Sequence, residues 1–179
     1  CLKLKEEMGV ANIQERETEL MQQLWNALKQ IPNLHLLADQ HPKRLGIISF
    51  HIEQLHHNLG VKMLNDRFGI QTRGGCSCAG TYGHHLLNVS KEQSKKITDK
   101  IDAGNYSEKP GWIRLSIHPT MTNAEINYLI HAITSLASHH TKWQADYHID
   151  YALGTIKHKK TQADSKLVSE VDNCFAGSL

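Results

Sequence analysis

One stretch decides how the fold of this chain is interpreted, and it reads Gly69-Ile70-Gln71-Thr72-Arg73-Gly74-Gly75-Cys76-Ser77-Cys78-Ala79-Gly80. A short β-like run leads into an arginine, two glycines and two cysteines separated by one residue. Glycine permits turns that a Cβ atom forbids, and it lets other groups approach the backbone closely. A thiol held on such a turn beside an arginine can be exposed and partly ionised, and the thiolate is the reactive form. We therefore interpret this loop as the reactive centre of the chain.

Composition narrows the class of protein around this loop. The chain has 179 residues, a formal net charge of +2 and 40% hydrophobic residues, which suits one domain with a core of its own and a polar tail. The charges are mixed in sign, and no apolar run approaches the roughly 18 residues of a membrane span, so a nucleic-acid surface or a membrane segment is not expected. The 4 cysteines do not resemble a disulfide framework, and a reducing, cytoplasmic setting is expected.

Hydrophobic spacing and capping signals predict the elements on either side of the loop. Helices are indicated by apolar residues at helical spacing, by capping boxes at Ser90 and Thr122, and by a glycine C-cap at Gly69. Strands are indicated by short runs of residues with high β-propensity. The predicted helices are 11–31, 55–68, 91–103 and one that opens at 123; the predicted strands are 34–37, 45–52, 70–73 and 112–118. This order predicts an α+β domain with a small, mostly antiparallel sheet and helices packed on one face.

The last predicted strand carries a candidate binding residue. In the run from Trp112 to His118, every second residue is aliphatic. Ile113 and Leu115 therefore face one side of the strand, and Arg114 faces the other. An arginine beside a free sheet face favours an anionic partner. After about Thr141 the pattern weakens, and the aromatic residues there suggest a docked segment that includes one more helix, followed by a polar tail.

The loop and this strand resemble the corresponding segments of the class V aminotransferase family, in which cysteine desulfurases and selenocysteine lyases are the nearest characterised members. Those enzymes commonly read Gly-Ile-x-x-Arg-x-Gly-x-x-Cys-Ala, and Arg73, Gly75, Cys78 and Ala79 match that pattern. The run Gly111-Trp112-Ile113-Arg114-Leu115-Ser116 resembles the family strand whose arginine binds the substrate carboxylate. The similarity extends over residues 15–137.

The resemblance implies the small C-terminal domain of a fold type I pyridoxal 5'-phosphate (PLP) enzyme. It implies that residues 1–10 are a remnant of the linker from a missing PLP-binding large domain, that 11–140 form the small domain, and that 141–179 form a C-terminal extension, partly helical or poorly ordered. PLP would be bound by the missing large domain, so no cofactor-binding residue and no metal ligand is expected in this fragment, which is predicted to be inactive alone. The intact protein is expected to be a homodimer.

The desulfurase resemblance also implies a role for individual residues. Cys78 would attack the sulfur of L-cysteine and carry it as a persulfide, for delivery to a sulfur-acceptor protein, while Arg114 would hold the substrate carboxylate. Arg73 would bind an anionic group or lower the pKa of the thiol. Cys76 and the pair His84-His85 are possible supporting residues.

Each role has an alternative that the sequence leaves open. Cys78 could be a small buried residue, Arg114 could pair with an internal acid, and Arg73 could be an ordinary cation at a strand end. Cys76 could support the loop, act as a resolving thiol or be inert. The histidine pair His84-His85 could lie on the surface or at a helix start.

The function has alternatives as well. Where desulfurases often have two histidines before the catalytic cysteine, this chain has Cys76 and Ser77, and Cys-x-Cys at this place also resembles molybdenum cofactor sulfurases. A second interpretation is a class V aminotransferase, epimerase or other PLP lyase in which Cys78 is not catalytic. A third is a non-enzymatic thiol or metal-binding domain, although a structural zinc site usually has wider spacing between its cysteines.

Overall fold

The structure is a computed structural model and describes residues 2–76, 80–105, 107, 109–150 and 155–160. These residues form both helices and strands. The helices are α1 (Leu2–Met8), α2 (Val10–Leu28), α3 (His57–Phe68), α4 (Gly80–Leu86), α5 (Lys91–Asp102) and α6 (Asn123–Trp143). The strands are β1 (Leu34–Leu36), β2 (Ile47–Ile52), β3 (Arg73–Gly75), β4 (Trp112–Ser116), β5 (Tyr147–Asp150) and β6 (Thr155–His158). No helix among these residues is both long enough and apolar enough to cross a membrane.

Four strands form one sheet in the order β1-β2-β4-β3, and every neighbouring pair is antiparallel. Side chains alternate between the two faces of a strand, so the register decides which residues share a face. Phe50 lies opposite Ile113 and Ile48 lies opposite Leu115, which places these four side chains on one face. The prediction of an α+β chain with a small antiparallel sheet is confirmed.

The core lies between that face and three helices. Phe50, Ile48, Ile113 and Leu115 are buried against apolar stripes of α2, α3 and α6. The helical contributions recur at three- and four-residue spacing, as an amphipathic helix requires. Those side chains are Leu20, Leu24, Leu28, Leu59, Met63, Leu64, Ile126, Ile133 and Leu136.

The predicted caps account for where the helices begin and end. Ser90 and Thr122 each form a complete capping box, with the side chain accepting from the third helical amide and that residue's side chain accepting from the cap amide. Gly69 ends α3 in the left-handed conformation, with φ of 66°. These three predictions are confirmed.

The opposite face of the sheet is not bare, which corrects the prediction that helices pack on one face only. Trp112 projects to that side, yet only 5% of it is exposed. A Cβ atom placed on Gly83 of α4 would lie 3.2 Å from the Trp112 ring, so α4 packs against the indole. Farther along this face, Ile47 and Ser116 remain exposed.

Strand β3 begins where the sequence pattern predicts it to end. The backbone amide of Ile70 donates to the carbonyl of Leu64, and that of Gly69 donates to Asn65, so both amides complete the end of α3. An amide bonded in this way is not available to a β-ladder, and pairing starts only at Arg73. Ile70 is buried in the core instead.

The segment after α6 also differs from expectation. Residues Gln144–Asp146 form one 3-10 turn, and β5 and β6 pair as an antiparallel hairpin where an additional helix was expected. Lys159 follows the hairpin, and its backbone amide donates to the carbonyl of Asp146. The predicted boundaries of a linker, a small domain and an extension stay predictions.

Candidate active site

The sheet places two of the predicted site residues side by side. Arg73 of β3 lies directly opposite Arg114 of β4, and Ser49 of β2 lies opposite Arg114 on the other side. Residues that pair across antiparallel strands share a face, so these three side chains form one row on the face away from the core. We call Ser49, Arg114 and Arg73 the polar row.

The charges of the polar row are unbalanced. Arg73 is exposed and Arg114 is half-buried, and within the described part of the chain neither guanidinium forms an ion pair or a hydrogen bond. Like charges directly opposite one another destabilise a sheet, by an amount comparable to a cross-strand pair. An anion between the two guanidiniums would remove this repulsion. The alternative that Arg114 pairs with an internal acid finds no support among the described residues.

Cys76 directly follows β3, where the sheet runs into residues 76–79, which we call the cysteine loop. Its Sγ atom donates a hydrogen bond to the carbonyl of Pro110 at 2.6 Å, and the side chain is half-buried. Burial raises the pKa of this thiol, with a smaller opposing effect from Lys109. Cys78, the predicted nucleophile, lies outside the described residues, as do Ser77 and Ala79, so its role stays a prediction.

A buried histidine lies beside β3 and the residue that precedes β4, and no sequence motif singles it out. His57, the first residue of α3, is 6% exposed, and its ring stacks on His56 with centroids 4.3 Å apart. Burial, followed by the neighbouring His56 and Lys109, lowers the pKa of His57 to about 4. Its ring lies so close to Gly111 that a Cβ atom there would be 2.5 Å from Cε1.

The histidine pair that follows the loop divides into two roles. His84 shares a hydrogen bond of 2.7 Å between its Nδ1 atom and the Ser94 hydroxyl, which ties α4 to α5. His85 is exposed, and its ring lies 6.4 Å from that of Tyr82. Within the described ranges, no hydrogen bond links either histidine to the polar row, so their supporting role stays a prediction.

A concave region lies at the β1 end of the same face. Its volume is about 700 Å³, and His35, His51, His85 and Lys29 line part of it. The rings of His35 and His51 stack with centroids 4.9 Å apart, and burial, then His35, lowers the pKa of His51. Alternation in the strand 45–52 could have placed His51 on this face, but its neighbours depend on the register of β1 with β2.

In the part of the chain that the structure describes, no three histidine, cysteine or acidic side chains come together as metal ligands. This gives the third interpretation, a thiol or metal-binding domain, no ligand set among those residues.

The model of the family "Aminotransferase class-V" matches residues 1–129. The chain belongs to this family. The match includes the polar row, Cys76 and the whole cysteine loop, and it confirms the resemblance stated from the sequence.

Sequence relatives of the chain include proteins named as cysteine desulfurases. The chain is 40% identical over 72 residues to a cysteine desulfurase of Pectobacterium carotovorum subsp. carotovorum, a match that covers 40% of this chain and 17% of that protein. It is 35% identical over 86 residues to a probable cysteine desulfurase of Synechocystis sp., covering 47% of this chain and 20% of that protein. The chain thus spans about a fifth or less of the length of these relatives.

A solved structure supports the fold. The apo structure of a cysteine desulfurase from Thermococcus onnurineus NA1 superposes with a TM-score of 0.52 at 21% sequence identity, over 74% of this chain and 28% of that one. At this identity the likeness concerns the fold alone.

The family implies PLP, whose Schiff base requires a lysine with a free amine. Lys159 directly follows His158, the last residue of β6. Its Nζ atom donates to the carbonyl of Ala145 at 2.6 Å. The polar row offers two guanidiniums and a hydroxyl, which suit the binding of a carboxylate. It offers no lysine for a Schiff base with PLP. The polar row therefore contains no amine that could form the Schiff base, and no step through the cofactor is assigned to it.

Proposed function

We propose that this chain is the C-terminal domain of a PLP-dependent enzyme of the cysteine desulfurase and selenocysteine lyase type. In this proposal the intact enzyme releases sulfur from L-cysteine and carries it as a persulfide on Cys78, leaving alanine. The observation that carries the proposal is the polar row, in which Arg114 and Arg73 are held in register beside the cysteine loop with no anionic partner among the described residues. Two such cations suit an amino-acid carboxylate.

The residues of the polar row would divide the work of binding. Arg114 is half-buried and in the central part of the sheet, so it can hold a carboxylate by a bidentate, charge-assisted pair in fixed orientation. Arg73 lies on the edge strand, three residues before Cys76, and would add positive charge on the side of the loop. Ser49 would offer a neutral hydrogen-bond donor to the same group. Binding in this orientation would present the substrate sulfur to the loop.

The remainder of the enzyme follows from the family as part of the same proposal. PLP, bound by a large domain outside this chain, would supply the electron sink for breaking the carbon–sulfur bond. Residues 1–10 would be linker, 11–140 the small domain of the fold type I architecture, and 141–179 an extension. We further propose a homodimeric, cytoplasmic enzyme that passes sulfur to an acceptor protein, and that this chain alone is inactive.

The test uses the full-length protein that contains this chain. Purified wild type and Cys78→Ser are incubated with L-cysteine. Alanine and sulfide are measured in the presence of a thiol reductant, which is oxidised as it removes the outer sulfur of the persulfide as sulfide, and the mass of the peptide around residue 78 is measured without the reductant. We expect alanine and sulfide from the wild type, one added sulfur atom on that peptide, and neither product from Cys78→Ser. A control reaction with L-alanine should leave the peptide mass unchanged.

The opposite result has a definite meaning. If the wild type binds PLP but releases no alanine or sulfide, the enzyme is an aminotransferase, epimerase or other lyase, and Cys78 is not its nucleophile. If the isolated chain forms a single lysine adduct with PLP that borohydride traps, the assignment of the cofactor to another domain is wrong.

A further inference from the structure

We propose that Cys76 is a positioning residue: its thiol hydrogen ties the end of β3 to Pro110 and thereby holds the cysteine loop, and Cys76 takes no part in sulfur transfer. The inference rests on the proposed role of Cys78. It selects one of the three roles that the sequence leaves open for Cys76, namely support, resolving thiol or inert residue.

The first argument is the way the sheet ends. The pairing of β3 with β4 stops at Gly75 opposite Trp112. Pro110 lies two residues before Trp112, and proline has no amide hydrogen to donate to a ladder. The Cys76 thiol makes the next link across this gap, because Sγ donates to the Pro110 carbonyl at 2.6 Å. The side-chain bond thus extends the connection between the two segments beyond the last strand pair.

The second argument is packing on the other side of Cys76. A Cβ atom placed on Gly83 would lie 3.6 Å from the Cys76 Cβ and 3.2 Å from the Trp112 ring, so α4 packs against both. Helix α4 begins at Gly80, directly after the loop. Cys76 therefore contacts the segment that precedes β4 and also faces the helix that follows the loop. A half-buried thiol in this position acts as a fixed point from which the loop departs.

The third argument concerns chemistry. A residue that exchanges sulfur needs an accessible thiolate. Burial favours the neutral thiol of Cys76, and only the neutral thiol has a hydrogen to donate to Pro110. The same features that make Cys76 a good donor make it a poor nucleophile.

The consequence for Cys78 is geometric. Two residues of chain span at most about 7 Å, so an anchored Cys76 limits the volume in which the Cys78 thiol can lie. Losing the bond to Pro110 leaves Cys76 held only through its chain connection to Gly75, so the position of Cys76 becomes less defined while no reacting group is removed. The cost should resemble that of one net hydrogen bond, which corresponds to about a twofold to tenfold change in rate.

Two substitutions in the full-length protein separate the three roles. Cys76→Ser keeps a hydrogen-bond donor and removes the thiol, whereas Cys76→Ala removes both. We expect the rate of persulfide formation on Cys78 to stay within about twofold of wild type in Cys76→Ser and to fall about twofold to tenfold in Cys76→Ala, with little change in KM. Equal losses in both variants would mean that the thiol itself reacts, and no loss in either would mean that Cys76 is inert. Either result overturns the proposal.

A second measurement needs neither substrate nor cofactor activity. Iodoacetamide labelling followed by mass spectrometry gives the alkylation rate of each cysteine in folded wild-type protein, and urea-unfolded protein serves as the reference. We expect Cys76 to react at least tenfold more slowly when folded. In Cys76→Ala, but not in Cys76→Ser, the alkylation rate of Cys78 should change by at least twofold. If the wild type makes no persulfide, the proposed function fails while this labelling pattern still tests the anchor. Fast labelling of folded Cys76 would refute the anchor.

Discussion

Gly111 is a position where the structure predicts a large effect of a single added methyl group. A Cβ atom there would lie 2.5 Å from Cε1, 2.6 Å from Nδ1 and 2.8 Å from Nε2 of His57. The shortest of these distances is about 0.9 Å less than the 3.4 Å at which ordinary contact begins. Gly111→Ala therefore forces the ring or the strand to move.

The His57 ring has little room to move. Only 6% of the residue is exposed, and its ring stacks on His56 on one side. Near its other edge lies Gly74, where a Cβ atom would be 3.3 Å from Cδ2. Overpacking of a filled site costs about 1–3 kcal/mol. We expect Gly111→Ala to lower the free energy of unfolding by an amount in the upper half of that range.

A double-mutant cycle tests the cause of this loss. His57→Ala removes the obstructing ring, so the cost of Gly111→Ala should largely disappear in that background, with a coupling of about 2 kcal/mol. The assay is urea unfolding of the wild type, both single variants and the double variant. Gly104→Ala is the matched control, because its φ of 78° makes it strained while its Cβ would meet nothing within 4 Å. Its cost should be the same with and without His57→Ala. Additive costs for Gly111→Ala and His57→Ala would refute the reasoning.

Three further predictions concern binding, pH and folding. Arg114→Ala should lower kcat/KM for L-cysteine about ten- to hundredfold in the full-length protein. Arg114→Lys should restore only part of this loss, because lysine cannot form the bidentate pair. Steady-state kinetics measures both variants, and full recovery by lysine would contradict the bidentate pair. His57 has a folded pKa of about 4, below its unfolded value of 6.5, so the unfolded chain binds the extra proton between these values. Stability should therefore fall as pH drops from about 6.5 to 4, by at most about 3 kcal/mol, and be level for this group above that window; urea midpoints between pH 7 and 5 should fall less steeply in His57→Gln, and an unchanged slope would exclude His57 as the source. Thr122→Ala removes the cap of α6 and should cost about 1 kcal/mol, seen as a lower melting temperature, whereas Thr122→Ser should stay close to wild type; equal melting temperatures for all three proteins would exclude the capping role.

The local features of this fold were accessible from the sequence. Ser90 and Thr122 predict where their helices begin, because a capping box is formed within four residues. Gly69 predicts the end of α3, because glycine tolerates the left-handed conformation. The strand around Arg114 was also predicted in the correct phase, since alternation fixes which residues share a side. The limits of local reasoning appear at Ile70, whose β-like context predicts a strand although its amide is used by α3.

The candidate site needed the tertiary structure. The family resemblance selected Arg73 and Arg114 separately. Their placement opposite one another depends on the register of β3 with β4, because the two residues are 41 positions apart in the sequence. The contact of Cys76 with Pro110 and that of His57 with Gly111 likewise join segments that are distant in the chain. Such pairs are fixed by strand register and core packing, and these minimise exposed apolar surface over the whole domain. The sequence alone therefore determined the amphipathic core helices, their caps, the phase of the Arg114 strand and the family, whereas long-range packing decided where β3 pairs and which charges, thiols and rings meet.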